Sequence, residues 1–229
     1  METASGGYYL HERGVDLPFD EDRALSRVLS QVLAPEAPGD AGALFLDIET
    51  VGLSNRPLFL VGVLTLQSDG LWLRQLLARD YSEERAVLEA TQDLLRHHPH
   101  LVTFNGKTFD VPYIANRCLH HQLPPPEPRS HLDLLFAARR FWRRFIPNCR
   151  LQTIERHLCC RERVDDIPGA QMGQVYRDFI RTGDATRIRG ALHHNLLDLI
   201  AMAEMVCLLG EAGTLPARSR QEILPYRGT

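Results

Sequence analysis

The sequence predicts a mixed α/β fold, with a five-stranded sheet flanked by helices and a helical C-terminal half. Apolar runs of strand length are concentrated between residues 43 and 105, and segments with helical spacing alternate with the later runs. From residue 134 onward the remaining periodic segments are nearly all helical. Strands, then alternating helix and strand, then helices, are typical of a mixed sheet covered by helices.

Five segments have the length and apolar character of strands. The second and third are joined by "QSDG", which predicts a hairpin turn. In chain order the predicted strands are "ALFLDIE" (43–49), "FLVGVLTL" (59–66), "LWLRQLLA" (71–78), "LVTFN" (101–105) and "HLDLL" (131–135).

Six segments have helical spacing. The first opens with Ser82 followed by acidic residues, and the second is ended by "PPPEP". The predicted helices are "SEERAVLEATQDLLRHH" (82–98), "VPYIANRCLHHQL" (111–123), 134–145, 151–160, 171–181 and 187–209.

We therefore divide the chain into an N-terminal extension (1–40), one α/β domain (41–210) and a C-terminal tail (211–229). In the extension, "RALSRVLSQVL" predicts a short helix and "APEAPGDAG" predicts a linker.

Composition narrows the class of protein. The formal net charge of −3 argues against a wholly basic nucleic-acid binder, although it permits a local basic surface. The five cysteines include no C-x-x-C pair, which disfavours a zinc or iron–sulfur site. The sequence has no G-x-G-x-x-G motif after a strand, so a dinucleotide-binding site is not predicted. No segment reaches the length of a membrane span and no signal peptide is recognisable, so we expect a cytoplasmic protein with no membrane partner.

The first predicted strand carries two carboxylates that do not suit a buried strand. Asp47 and Glu49 are two residues apart, so their side chains point to the same face. Two neighbouring buried carboxylates repel each other and are costly to bury. Either this face meets water at a strand end, or something positive lies beside it.

Two further carboxylates occupy unusual positions. Asp110 follows the fourth strand and precedes Pro112, where it could serve as a helix cap. Asp198 lies in a helix that is apolar nearly all round, where a salt bridge to arginine is the alternative to a functional site.

The order of these four acids suggests that they converge at one end of the sheet. Crowded carboxylates would require shared divalent cations, and oxygen-only ligands suit Mg²⁺ or Mn²⁺. Two such ions about 4 Å apart are the apparatus for attack on a phosphodiester.

These motifs resemble the DEDD-type 3′→5′ exonucleases on the ribonuclease H-like fold, and most closely their bacterial YprB-like branch. "DIET", "FNGKTFD" and "HHNLLD" look like the three motifs of that superfamily, in order. The resemblance covers roughly residues 40 to 210. It implies a ribonuclease H-like exonuclease domain with four acidic metal ligands, namely Asp47, Glu49, Asp110 and Asp198.

The resemblance also implies a role for each acid. Asp47, Glu49 and Asp198 would hold the ion that generates the attacking hydroxide, and Asp47 would bridge to a second ion. Asp110 would support that second ion or bind it through water. Thr50 would offer a contact to the terminal nucleotide.

The general base is a histidine by this resemblance, and two candidates precede Asp198. His193 stands five residues before it, the spacing of the histidine subclass, and His194 stands four before it. On a continuous helix His194 shares a face with Asp198, whereas a base on the approach to the helix favours His193. The His-Asn pair of the branch favours His194.

Substrate contacts are predicted from one basic, aromatic stretch and from residues beside the acids. "RRFWRRFIPNCR" (139–150) interleaves arginines with aromatic residues, which indicates either a solvated charged face or a surface that follows phosphates. The candidates for substrate binding are Thr50, Asn105, Phe109, Tyr113 and Arg143.

The sequence thus predicts a two-metal nuclease that releases nucleotides from a 3′ end of DNA or RNA. The exonuclease character depends on the resemblance. The alternatives are a structure-specific endonuclease on the same fold and a non-catalytic nucleic-acid-binding scaffold.

Overall fold

The computed structural model describes residues 1–3, 5–16, 25, 29, 42–53, 55–68 and 70–214, with side chains through residue 210. Within these residues, two short strands form a small separate hairpin, and six longer strands form the main sheet. The strands are β1 (Glu2–Thr3), β2 (Gly6–Gly7), β3 (Tyr9–Val15), β4 (Ala43–Thr50), β5 (Leu58–Gln67), β6 (Gly70–Leu77), β7 (His100–Thr103) and β8 (Ser130–Asp133).

The main sheet has the strand order β3-β6-β5-β4-β7-β8. Strands β3 to β6 pair antiparallel, whereas β4, β7 and β8 run parallel. The prediction of a mixed sheet is confirmed, and its five strands are β4 to β8. The sixth strand, β3, lies in the segment predicted as an N-terminal extension. It was not predicted, because its sequence contains no apolar run of strand length.

Six α-helices surround the sheet in the described chain, and each overlaps a predicted helix. The largest differences are at two helix ends: the third helix ends at Phe141, so residues 142–145 form turns, and the last helix continues five residues past its predicted end at residue 209. The helices are α1 (Glu84–His97), α2 (Asp110–His120), α3 (Leu134–Phe141), α4 (Leu151–His157), α5 (Met172–Thr182) and α6 (Thr186–Thr214).

The two faces of β4 pack against different helices. Leu44, Leu46 and Ile48 join the core formed with α1 and α2. Ala43 and Phe45 point the other way, into the core formed with α3, α4 and α6. Because Asp47 and Glu49 continue the Ala43–Phe45 row, both carboxylates lie on the face that α6 covers.

Helix α6 is the longest element and is largely enclosed. Leu199, Met202 and Val206 are fully buried or nearly so. By length and composition alone, its Thr186–Gly210 stretch could cross a membrane, which corrects the expectation that no segment reaches that length. Its packing against the sheet is that of a core helix, since most of this stretch is buried inside the protein.

A buried ion pair joins α1 to α2. The Arg117 guanidinium donates to both carboxylate oxygens of Glu84, at 2.7 and 2.6 Å. The same carboxylate accepts the backbone N–H of Leu58, where β5 begins, at 2.7 Å. One carboxylate thus connects two helices and a strand.

Most of the predicted N-terminal helix and linker lies outside the described residues. Leu25 and Leu29 are helical and buried in the α6-facing core. The predicted C-terminal tail begins within α6 and otherwise also lies outside the described residues.

Candidate active site

Strand β4 presents the acid pair at its carboxyl end. Asp47 pairs with Gly62 and Glu49 with Leu60 across the antiparallel ladder, and the register shifts between Glu49 and Thr50. The Thr50 hydroxyl donates to the carbonyl of Gly52 at 3.1 Å, within the loop that follows. Both carboxylates therefore lie within the last four residues of the strand.

Asp110 reaches β4 from the start of α2. Its Oδ1 accepts the backbone N–H of Ile48 at 3.3 Å, so the carboxylate lies against the strand between the two acids. The helix begins at Asp110, and its N-cap position, Phe109, makes no side-chain cap. Asp110 therefore contacts β4 from the first residue of the helix, while the N-cap position that it could have occupied belongs to Phe109.

A tight turn at residues 105–109 precedes Asp110 and sets its position relative to β4. Asn105 adopts a left-handed conformation with φ of 65°. The Asp133 carboxylate accepts the backbone N–H groups of Asn105 at 2.9 Å and Lys107 at 3.0 Å, and also caps α3 through Leu135 N–H at 3.0 Å. The end of β8 thus shapes the turn that follows β7, because parallel neighbouring strands end side by side.

Helix α6 approaches β4 through Asn195. Its Nδ2 donates to Asp47 Oδ2 at 2.8 Å and to the Asp47 carbonyl at 3.2 Å. Its Oδ1 accepts from Gln75 Nε2 at 2.9 Å. A Cβ on Gly62 would lie 1.8 Å from that oxygen, so the strand tolerates only glycine opposite Asn195.

We expect Gly62→Ala to push Asn195 away from Asp47. Overpacking of a core position costs about 1–3 kcal/mol. Urea unfolding should show a loss of that size. Gly14→Ala on the edge strand is the control, because nothing lies within 4 Å of a Cβ there. Equal stability of the two variants would contradict the close approach.

His194 lies among the carboxylates and is 7% exposed. Its Nε2 is 3.8 Å from Glu49 Oε1 and 3.5 Å from Asp198 Oδ2. Its Nδ1 is 2.8 Å from Asp166 Oδ1. One imidazole nitrogen therefore lies near two predicted acids that are about 150 residues apart in the chain.

His193 points elsewhere. It is exposed and lines a groove beside Tyr9 and His11 of β3. Because α6 is continuous through this region, His194 and Asp198 share a face while His193 does not. The structure brings His194, and not His193, to the acid pair.

Arg163 supplies positive charge to the site from an irregular segment between α4 and α5. Its guanidinium donates to Asp198 at 2.5 Å, to Asp166 at 3.1 Å and to Glu155 at 2.6 Å. The salt bridge to arginine considered for Asp198 is therefore present. Asp166 is held by both Arg163 and His194.

The crowding of the acids changes their protonation. Burial, followed by the charges of Asp198, Glu49 and Asp110, raises the pKa of Asp47 well above its usual range. Burial and the charges of Asp198, Asp110 and Asp166 likewise raise the pKa of Glu49, against the lowering effect of Arg163. Burial raises the pKa of Asp110 to about 7, although backbone hydrogen bonds oppose the rise. All three raised pKa values mean that the protonated, neutral forms of these carboxyl groups are favoured more than they would be in water.

Divalent metal ions fit this donor set in its chemistry. Within the described residues, no three or more His, Cys, Asp or Glu side chains are grouped closely enough to hold a metal ion as they stand. Asp198 is engaged by Arg163 and Asp47 by Asn195. However, the acids are oxygen donors whose mutual repulsion a divalent cation relieves, and such donors suit Mg²⁺ or Mn²⁺.

The predicted substrate-binding residues are spread around this centre. Tyr113 is buried, and its hydroxyl lies 2.8 Å from the Gly52 carbonyl and 2.7 Å from the Arg56 carbonyl. Tyr113 therefore holds the loop after β4, and Phe109 packs against its ring with centroids 5.5 Å apart. Asn105 and Arg143 are exposed and line a cleft next to the turn that precedes Asp110.

Sequence reasoning missed three polar residues of this site, Asn195, Arg163 and Asp166. For Asn195 a signal existed, because Gly62 interrupts an apolar strand and such a glycine marks a close approach. Arg163 and Asp166 lie in a segment without periodicity. Only the folded chain identifies their partners.

Comparison with known proteins agrees with the resemblance drawn from the motifs. Residues 44–209 match the profile of the RNase H superfamily. The Bacillus subtilis (strain 168) protein YprB is 29% identical over 182 residues, which are 77% of this chain and 44% of YprB. The chain thus spans less than half the length of that relative.

A solved structure has a similar fold. The family B DNA polymerase from the hyperthermophilic archaeon Pyrobaculum calidifontis matches with a TM-score of 0.55 and 19% identity. The match covers 76% of this chain and 24% of the polymerase chain. At this identity the likeness concerns the fold.

Proposed function

Because this chain belongs to the RNase H superfamily, we propose that it is a metal-dependent nuclease that releases nucleotides from the 3′ end of DNA or RNA. The observation that carries the proposal is the convergence of four acids and a histidine at the end of β4. Glu49 and Asp198 both lie within 4 Å of His194 Nε2, and Asp110 contacts the same strand. The 3′→5′ direction follows from the motif resemblance.

Asp47, Glu49, Asp110 and Asp198 would hold the Mg²⁺ or Mn²⁺ ions. When bound, two divalent ions supply an activated water and charge stabilisation for the leaving oxygen. In their absence Arg163 neutralises Asp198, and Asn195 fixes the orientation of Asp47. These two residues therefore orient two of the four carboxylates.

His194 would accept the proton of the attacking water. Asp166 forms an ion pair with Arg163 and accepts from Nδ1 of His194, so that nitrogen carries the hydrogen. In the neutral ring Nε2 is then the free base, and it faces Glu49 and Asp198. Asp166 thereby acts as a positioning residue.

The function is tested with 5′- and 3′-labelled single- and double-stranded DNA and RNA oligonucleotides. Incubation with Mn²⁺ should yield mononucleotides from the 3′ end, and a chelator should stop the reaction. Internal fragments from an end-blocked substrate would favour the endonuclease alternative. No product from any substrate would favour the binding scaffold.

We expect His194→Ala to lower the rate by about 10²-fold, the lower range for loss of a general base. His193→Ala is the matched control, because its side chain lies outside the acid pair. Single-turnover rates on a 3′-labelled strand distinguish the two variants. Equal losses in both, or a larger loss for His193→Ala, would contradict the assignment of the base.

A further inference from the structure

A positively charged cleft lies beside the candidate active site. Its volume is about 480 Å³. Three exposed arginines line it, Arg139, Arg143 and Arg150, and Phe104 contributes an apolar wall. None of the described residues that line the cleft is acidic. We call it the arginine cleft.

These three arginines form no salt bridge with any described residue, whereas other solvent-accessible arginines do. Arg85 pairs with Glu89, Arg96 with Asp93 and Arg181 with Asp178. In the arginine cleft no such carboxylate neutralises the guanidinium groups. Their charge is therefore available to an external anion, and phosphate matches the fork of an arginine side chain.

The arginine cleft is continuous with the turn that carries Asp110. Asn105 lines the cleft at one end of this turn. Phe109 N–H donates to the Asn105 carbonyl at 3.1 Å, and Val111 N–H donates to the Gly106 carbonyl at 2.9 Å. One turn of the chain therefore links the cleft wall at Asn105 to Asp110.

An aromatic face lies beside the same turn. Phe136 of α3 is 54% exposed, so its ring is accessible to a ligand. Lys107, in the turn, places its Nζ 5.9 Å from the centre of the Phe136 ring. An exposed ring near cations can stack on a base, but only on an unpaired one, since paired bases are stacked within their duplex.

We propose that the arginine cleft and Phe136 bind the unpaired strand upstream of the scissile bond. This inference extends the proposed nuclease function and selects single-stranded nucleic acid as its substrate class. The arginines contact the phosphates, which DNA and RNA share, and Phe136 stacks on a base. Contacts of this kind give weak sequence preference and strong salt dependence.

Binding without turnover tests the inference. The 229-residue chain, in EDTA, is titrated into a 5′-fluorescein 12-nucleotide DNA strand, its RNA equivalent and a blunt duplex, and fluorescence anisotropy is read at several salt concentrations. The variant is Arg139→Ala/Arg143→Ala/Arg150→Ala. The control is Arg85→Ala/Arg96→Ala/Arg181→Ala, which removes the same charge from solvent-accessible positions on α1 and α5.

We expect the cleft variant to weaken single-strand binding by at least about tenfold at low salt, and to reduce the slope of log affinity against log salt by about 2 for three lost phosphate contacts. The control variant should change both quantities less. Phe136→Ala should reduce the preference for single strand over blunt duplex. Melting temperatures of all variants establish that the exposed substitutions leave the fold intact.

Two results would overturn the inference: equal binding by the cleft and control variants, or tighter binding of the wild type to blunt duplex than to either single strand. Failure of the nuclease proposal can be distinguished from failure of the binding site. If the wild type cleaves no strand with Mn²⁺ while the cleft variant loses binding, the nuclease proposal falls and the binding site stands. If the wild type cleaves a strand while the cleft variant binds as the wild type does, the nuclease proposal stands and the binding site falls.

Discussion

Asp47→Asn is expected to lower turnover by about 10³-fold while leaving the protein folded, which is the largest effect that we expect on activity. Asp47 is the predicted ligand of both ions, and a bound metal ion contributes several kcal/mol to the stabilisation of a phosphoryl transition state. A loss of about 4 kcal/mol corresponds to a rate lower by about 10³-fold. The measurement is single-turnover release of the 3′-terminal nucleotide with Mn²⁺.

The same substitution should raise the melting temperature of the metal-free protein. Asp47 is crowded by Asp198, Glu49 and Asp110, so removal of its charge relieves repulsion. The asparagine oxygen can still accept from Asn195 Nδ2. Added Mg²⁺ should raise the melting temperature of the wild type more than that of the variant, because the variant lacks one ligand.

Asp93→Asn is the matched control, since Asp93 is an exposed aspartate on α1. It should leave turnover and the metal-induced shift unchanged. Wild-type activity in Asp47→Asn would refute the metal site. Equal, negligible turnover of the wild type and both variants would instead favour a scaffold without catalysis.

Arg117→Ala is expected to give the largest loss of stability. Removal of one member of a buried ion pair leaves the other charged and unpaired, at a cost of about 3–5 kcal/mol. Glu84 would remain buried between α1, α2 and β5 with only His121 Nε2, at 2.9 Å, and the Leu58 N–H as partners. Urea unfolding measures the loss as a lower midpoint.

The control for this prediction is Arg85→Ala, which breaks a partly exposed pair with Glu89 at 3.2 Å on α1, the helix that begins at Glu84. Exposed pairs of this type contribute about 0.3–0.5 kcal/mol. Similar losses for Arg85→Ala and Arg117→Ala would show that burial of the Glu84–Arg117 pair carries no special weight.

The pH dependence of stability provides a second measurement on Glu84. Burial favours its neutral form, but hydrogen bonds from Arg117, His121 and Leu58 outweigh burial and hold the pKa of Glu84 below its usual value of 4.5. A depressed pKa contributes stability above pH 4.5 that is lost as pH falls through the folded-state pKa. Glu84→Gln should therefore lose less stability than the wild type between pH 5 and pH 3.

Several predictions succeeded because local spacing determines local structure. The strand "FLVGVLTL" became Leu58–Gln67 and the last helical segment became Thr186–Thr214. The strand at Tyr9–Val15 was not predicted, because its polar residues are accommodated at a sheet edge where one side meets water. Arg163 and Asp166 were also missed, since no periodic pattern marks residues of an irregular segment.

The amino-acid sequence by itself determined which segments become strands and helices, and which acids are out of place in them. Alternation and helical spacing act over a few residues, so Asp47, Glu49 and Asp198 could be recognised without coordinates. The tertiary structure decided which side chains meet. Packing of α6 over β4 brings Asn195 to Asp47 and turns His194, but not His193, toward the acids, because contacts across about 150 residues depend on how the helix lies on the sheet.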